Sequence, residues 1–151
     1  AAETRPSALA AMREVHVPFH RVVGSQDGIV PAESTRRMYD AAPAPRLFTS
    51  IAGGCHCGFQ TDPFPLGCER GTLPSDEQLA LTAHLLTAFF RLYLTDDGDW
   101  DAVWGPDAGD DPRLVRTADP GATPTPGATA DAASRRAVRL PAVSREGRYG
   151  P

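Results

Sequence analysis

The sequence has little of what marks several common classes of protein. It contains no lysine, so all fifteen basic residues are arginine, a bias that we attribute to the coding sequence rather than to function. The formal net charge of −4 argues against a nucleic-acid or anionic-membrane surface. No apolar run approaches the roughly 18 residues that a membrane span requires. We expect neither nucleic acid as a partner nor a membrane span.

Apolar residues are not evenly distributed along the chain. They recur regularly as far as Trp104, whereas residues 105–151 contain seven Pro and six Gly. A Pro and Gly share of about 28% is typical of low-complexity sequence. This contrast predicts a folded segment at residues 1–104 and a disordered, Pro/Gly/Ala-rich tail at residues 105–151.

The apolar periodicity of the folded segment predicts alternating helices and strands. Helices are predicted at 4–14, 31–42 and 75–94, and strands at 15–23 and 46–52. Ser75 and Gln78 fit a capping box at the start of the third helix. The alternation is typical of an α/β fold with a parallel sheet. Because two parallel strands are too few for such a sheet, further strands are expected elsewhere in the complete domain.

Two glycine-rich turns follow the two predicted strands, and each presents one ionisable residue. The first turn, GSQDG, contains Asp27, and the second, GGCHC, contains His56. Parallel strands end at the same edge of a sheet, where ligands bind in open α/β folds. We therefore expect Asp27 and His56 to lie within hydrogen-bond reach. An acid that orients an imidazole is two-thirds of a Ser-His-Asp triad.

Residues from about Val15 to Leu94 resemble the C-terminal third of α/β-hydrolase-fold serine hydrolases, especially the dienelactone-hydrolase-like and chlorophyllase-like esterases. The similarity rests on residues 17–31, 53–59 and 78–94. The order in that family is Ser, acid, His, so Asp27 matches the acid and His56 the histidine. The resemblance implies a carboxylic ester hydrolase that acts on a small ester-type substrate without a metal or cofactor. Ile29 and Phe59, adjacent to the pair, are candidates for the walls of the substrate pocket.

The third member of the triad is missing, because the nucleophile motif G-x-S-x-G does not occur in the sequence. Ser25 resembles that motif only superficially. It lies two residues from Asp27 in the same turn, whereas the nucleophile must approach the imidazole nitrogen that faces away from the acid. We expect the chain to be the C-terminal portion of a hydrolase domain, to need the missing N-terminal half as its partner, and to be inactive alone.

The three cysteines leave four interpretations open. A disulfide between Cys57 and Cys68 would close the loop after His56, leave Cys55 as a thiol and indicate a secreted parent. A resemblance to feruloyl-esterase and tannase hydrolases would instead imply a bridge from Cys57 to the missing half. The alternatives are a non-catalytic or metal-binding module that uses the Cys/His cluster, or unpaired thiols. The Cys57–Cys68 bridge is favoured, because a separation of eleven residues is easily bridged. The metal site is disfavoured, because C-x-C is not the usual metal-ligand spacing.

Overall fold

The computed structural model describes residues 7–61, 71–95 and 98–121, which form a mixed sheet of three strands with helices packed on it. The strands are β1 (Phe19–Gly24), β2 (Arg46–Ile51) and β3 (Leu114–Asp119), in the order β1-β2-β3. The helices are α1 (Ala8–Met12), α2 (Ala32–Ala41), α3 (Ser75–Leu94) and α4 (Asp101–Trp104), and a 3₁₀ turn covers His56–Phe59. The arrangement agrees with the predicted α/β class.

The first two strands end at the same level of the sheet. β1 and β2 are parallel, and they pair in register from Phe19 opposite Arg46 to Gly24 opposite Ile51. The connection between them contains α2, as a parallel pair requires a crossover. The turns that follow Gly24 and Ile51 therefore leave the sheet side by side.

The third strand corrects the division of the chain that the sequence predicted. β3 runs antiparallel to β2, with Leu114 opposite Ile51 and Asp119 opposite Arg46. The expectation of two parallel strands was incomplete, and the boundary at residue 104 was wrong, because β3 belongs to the sheet. None of the β3 residues is fully buried, which explains the weak apolar pattern of this strand. Residues 122–151 of the predicted tail lie outside the described residues.

Helices cover both faces of the sheet. On one face, Val23 and Phe48 pack against Tyr39 of α2. On the other face, Leu47 packs against Phe89 of α3. Leu47 and Phe48 are consecutive residues of β2, so alternate side chains of this strand enter the two apolar layers. Cover on both sides explains why three consecutive residues of the central strand, Leu47, Phe48 and Thr49, are all buried.

The start of α3 differs from the prediction, although its limits agree with it. Pro74 is the N-cap residue, and no side chain caps the helix. The predicted capping box of Ser75 and Gln78 is therefore wrong. The side chain of Gln78 instead points into the protein, where it is fully buried and bonds to the backbone of Cys55. A tertiary contact thus replaces the local one.

Candidate active site

The two turns that follow β1 and β2 are hydrogen-bonded to each other. The backbone N–H of Ser25 donates to the carbonyl of Ile51 at 2.9 Å, and that of Gln26 donates to the carbonyl of Gly54 at 2.8 Å. A side chain at Gly24 would collide with the backbone of Gly54, so this close approach requires glycine. The residues presented by the two turns are therefore held at one edge of the sheet.

Asp27 is fixed by the backbone of its own turn. Its Oδ1 accepts hydrogen bonds from the N–H of Ile29 at 3.0 Å and from the N–H of Val30 at 2.6 Å. The side chain is only 4% exposed. Because both of these N–H groups donate to Oδ1, the second carboxylate oxygen, Oδ2, is left to accept from another donor.

Oδ2 of Asp27 lies 3.0 Å from Nδ1 of His56. An ionised carboxylate only accepts hydrogen bonds, so Nδ1 is the donor and carries the proton. In the neutral imidazole this leaves Nε2 with a lone pair, on the side of the ring away from the acid. The His56 side chain is 39% exposed, so the ring is not enclosed by the protein. The prediction that the two side chains lie within hydrogen-bond reach is confirmed.

Ser25 connects the two turns. Its Oγ accepts a hydrogen bond from the N–H of Gly53 at 2.9 Å, and its own N–H is bonded to Ile51. Gly53 has a φ of 73°, a left-handed conformation that favours glycine. These contacts give Ser25 a structural part in the site.

The two candidates for the pocket walls have different surroundings. The backbone N–H of Ile29 donates to Asp27, and the residue as a whole is 53% exposed. Phe59 is the last residue of the 3₁₀ turn that begins at His56, and it is partly buried. Both residues therefore belong to the two turns, and their contact with a substrate stays a prediction.

The cysteines flanking His56 are both buried but differ in state. Cys55 is 1% exposed and is a free thiol. Cys57 is 2% exposed and is disulfide-bonded. Cys68 lies outside the described residues, so its pairing with Cys57 stays a prediction. Within the described ranges, no group of three His, Cys, Asp or Glu side chains is arranged to hold a metal ion.

Gln78 is the site residue that the sequence reasoning missed. Its Oε1 accepts from the N–H of Cys55 at 3.0 Å, and its Nε2 donates to the carbonyl of Cys55 at 2.9 Å. The residue is 0% exposed, although glutamine is rarely buried unless it is fully hydrogen-bonded. The sequence gives no signal for this role, because Gln78 follows three other polar residues on the first turn of α3 and fits a capping box.

A second histidine near the sheet, His20, is a structural residue. It lies within β1, and its Nε2 is 3.0 Å from Oγ1 of Thr49 on the neighbouring strand. Burial, together with the nearby charge of Arg116, lowers the pKa of His20 to about 4. The ring packs against that of Phe89, with centroids 5.2 Å apart. His20 is therefore neutral at pH 7 and belongs to the packing of the sheet against α3.

Comparisons of the chain with models of protein families, with curated proteins and with solved structures give no match. None of the helices in the described part of the chain is long and apolar enough to cross a membrane. A fold by itself does not imply a function. The geometry of the two turns is therefore the evidence for function in this chain.

Proposed function

We propose that this chain supplies the acid and the histidine of a Ser-His-Asp triad in a serine hydrolase of the α/β-hydrolase fold. The observation that carries the proposal is the 3.0 Å contact between Oδ2 of Asp27 and Nδ1 of His56. It joins two turns that follow adjacent parallel strands. The acid precedes the histidine in the chain, as the order of triad residues in such hydrolases requires.

The proposed chemistry follows from the state of the imidazole. Nε2 of His56 would accept the proton of an attacking serine hydroxyl and later return it to the leaving alkoxide. Asp27 would keep the proton on Nδ1 and stabilise the imidazolium cation that forms in between. The substrate class that we propose is a carboxylic ester.

The serine and the donors of the oxyanion hole are proposed to lie outside this chain, in an N-terminal portion of the same domain. Ser25 is a poor nucleophile, because its Oγ already accepts from the N–H of Gly53 and it belongs to the same turn as Asp27. Without a nucleophile and oxyanion donors, the pair has nothing with which to stabilise a tetrahedral intermediate. The isolated chain should therefore not hydrolyse esters.

The deciding experiment uses a longer polypeptide that includes the residues encoded in frame before Ala1. We expect these residues to contain G-x-S-x-G, and the longer protein to hydrolyse 4-nitrophenyl butyrate and to react with a fluorophosphonate probe. Substitutions His56→Ala and Asp27→Ala should lower kcat by at least about 10⁴-fold. His84→Ala, at an exposed histidine of α3, serves as the matched control and should leave kcat unchanged.

Three results would contradict the proposal. The first is an upstream reading frame without the motif, and the second is hydrolysis by the longer protein that survives His56→Ala. The third is hydrolysis by the isolated chain that both His56→Ala and Ser25→Ala abolish, because Ser25 would then be the nucleophile.

Secretion of the parent protein is a further part of the proposal, and it depends on the disulfide of Cys57. Disulfides persist in oxidising compartments and are rare in the cytosol. A bridge between Cys57 and Cys68 would close the segment that follows the catalytic histidine. Mass spectrometry of a non-reduced proteolytic digest should recover Cys57 and Cys68 in one linked peptide. If the two cysteines are found in separate peptides, the reason for proposing secretion is lost.

A further inference from the structure

The amide of Gln78 forms two hydrogen bonds with one residue, Cys55, which directly precedes His56. The amide oxygen accepts the Cys55 N–H at 3.0 Å, and the amide nitrogen donates to the Cys55 carbonyl at 2.9 Å. The residues are 23 positions apart in sequence, so the contact joins α3 to the histidine turn. Both hydrogen bonds are buried, so water does not compete with the amide for the Cys55 backbone groups.

These two hydrogen bonds fix the two peptide planes on either side of Cys55. The N–H belongs to the Gly54–Cys55 peptide, and the carbonyl belongs to the Cys55–His56 peptide. Because each peptide unit is planar, fixing one of its polar groups restricts the orientation of the whole unit. The position of the His56 Cα relative to α3 is therefore set by the side chain of Gln78.

The packing around the amide supports the same conclusion. A Cβ at Gly58 would collide with Oε1 of Gln78, and one at Gly54 would lie 3.1 Å from its Cδ. The histidine turn thus folds closely around the amide on two sides. The helix that carries Gln78 is 20 residues long and is packed into the protein through Leu85 and Phe89.

We infer that Gln78 is a positioning residue that holds His56 against Asp27. The inference depends on the proposed function, since it assigns Gln78 a part in the same triad. Gln78 acts through the backbone of Cys55 and does not touch the reacting atoms. The His56 ring is 39% exposed, so its position depends on the backbone beneath it more than on enclosure by neighbours.

Two substitutions separate the hydrogen bonds from the volume of the side chain. Gln78→Met keeps the length of the side chain but removes the donor and the acceptor. Gln78→Glu keeps the acceptor for the Cys55 N–H and replaces the donor with an oxygen that faces the Cys55 carbonyl. Phe89→Leu is the control, because it disturbs the packing of α3 in the cluster with Leu47, which contains no residue of the histidine turn.

The experiment is NMR spectroscopy of the ¹⁵N-labelled chain at pH 7.5. In the unsubstituted chain, the imidazole shifts of His56 should report the tautomer with the proton on Nδ1. Gln78→Met should mix this signature with that of the Nε2 tautomer, and should accelerate hydrogen exchange of the Cys55 N–H by about 10-fold or more. Gln78→Glu should likewise mix the two tautomer signatures and accelerate exchange of the Cys55 N–H. If Gln78→Met does not fold, Gln78→Glu is used in its place. Phe89→Leu should retain the His56 signature.

Two outcomes would overturn the inference. In the first, the folded Gln78 variants keep the His56 signature and the exchange rate of Cys55. In the second, Phe89→Leu changes the His56 signature as much as they do, which would indicate a merely structural role.

Kinetics of the longer protein distinguish this inference from the proposed function. If both are right, Gln78→Met lowers kcat and leaves KM nearly unchanged, because the substrate does not touch Gln78. If the longer protein hydrolyses no ester while the His56 signature still depends on Gln78, the proposed function fails and the structural part of the inference stands. If the ester is hydrolysed and kcat is indifferent to Gln78→Met, the inference fails alone.

Discussion

Replacing Asp27 with Asn should move the proton of His56 from one ring nitrogen to the other. The carboxylate uses Oδ1 for two backbone N–H groups, those of Ile29 and Val30, and Oδ2 for His56. Asparagine has only one oxygen, and two N–H donors face it on the backbone side. The amide will therefore turn its oxygen towards the backbone and its NH₂ group towards the imidazole. Nδ1 must then accept, and the proton moves to Nε2.

The magnitude follows from the three hydrogen bonds that the carboxylate accepts. Hydrogen bonds to a charged group contribute about 1.5–3 kcal/mol, against about 0.5–1.5 kcal/mol for neutral ones. Loss of the charge at three contacts is partly offset, because a neutral amide is less costly to bury than a carboxylate. We expect Asp27→Asn to lower the free energy of unfolding by about 1–3 kcal/mol. Asp27→Ala leaves the backbone donors without an acceptor and should cost more, about 3–5 kcal/mol.

The assay combines urea unfolding with the imidazole ¹⁵N spectrum at pH 7.5. Asp27→Asn should give a folded chain whose His56 signature is that of the Nε2–H tautomer. In the longer hydrolase, the same substitution should lower kcat by about 10⁴-fold, because Nε2 can no longer accept the proton of serine. If the folded Asn variant keeps the proton on Nδ1, the assignment of the two carboxylate oxygens is wrong.

Three further results are expected. The pKa of His20 is about 4 in the folded chain, below its usual 6.5. As the pH falls, the unfolded chain therefore binds a proton at this histidine before the folded chain does. The free energy of unfolding should therefore decrease between pH 6.5 and 4, and His20→Gln should flatten that dependence in urea titrations. Phe89→Ala should cost about 3–5 kcal/mol, whereas Phe90→Ala, at a residue that is 51% exposed, should cost less than about 1 kcal/mol in the same assay. Thiol titration of the unfolded, non-reduced chain should find one free thiol, that of Cys55, and three thiols would refute the bridge.

The pairing of Asp27 with His56 was predictable because it depends on few assumptions. Each residue follows an apolar strand, and parallel strands end at one edge of the sheet. The strand limits needed only to be approximately right, since β1 and β2 end at Gly24 and Ile51, in register. The long helix α3 was equally predictable, because twenty residues with a broad apolar face clearly show the periodicity of an α-helix.

β3 and Gln78 were not predictable from local pattern. Leu114–Asp119 is half-buried at most, and it lies in a segment rich in Pro and Gly, so its pairing with β2 is what makes it a strand. Gln78 satisfies the sequence rule for a helix cap while its amide bonds to a residue 23 positions away. In both cases a tertiary contact determines the local structure, and the partner in that contact cannot be identified from a single sequence.

The antiparallel strand has a practical consequence for anyone who shortens this protein. The N–H of Ala52, just after β2, donates to the carbonyl of Arg113 at 2.7 Å, and Nη1 of Arg113 lies 2.7 Å from a carboxylate oxygen of Glu77 in α3. A chain cut at residue 104 would lose these contacts and would uncover the outer edge of the strand that leads to His56. An uncovered edge is a template for pairing with other chains and favours aggregation. A soluble minimal fragment should therefore extend to residue 121.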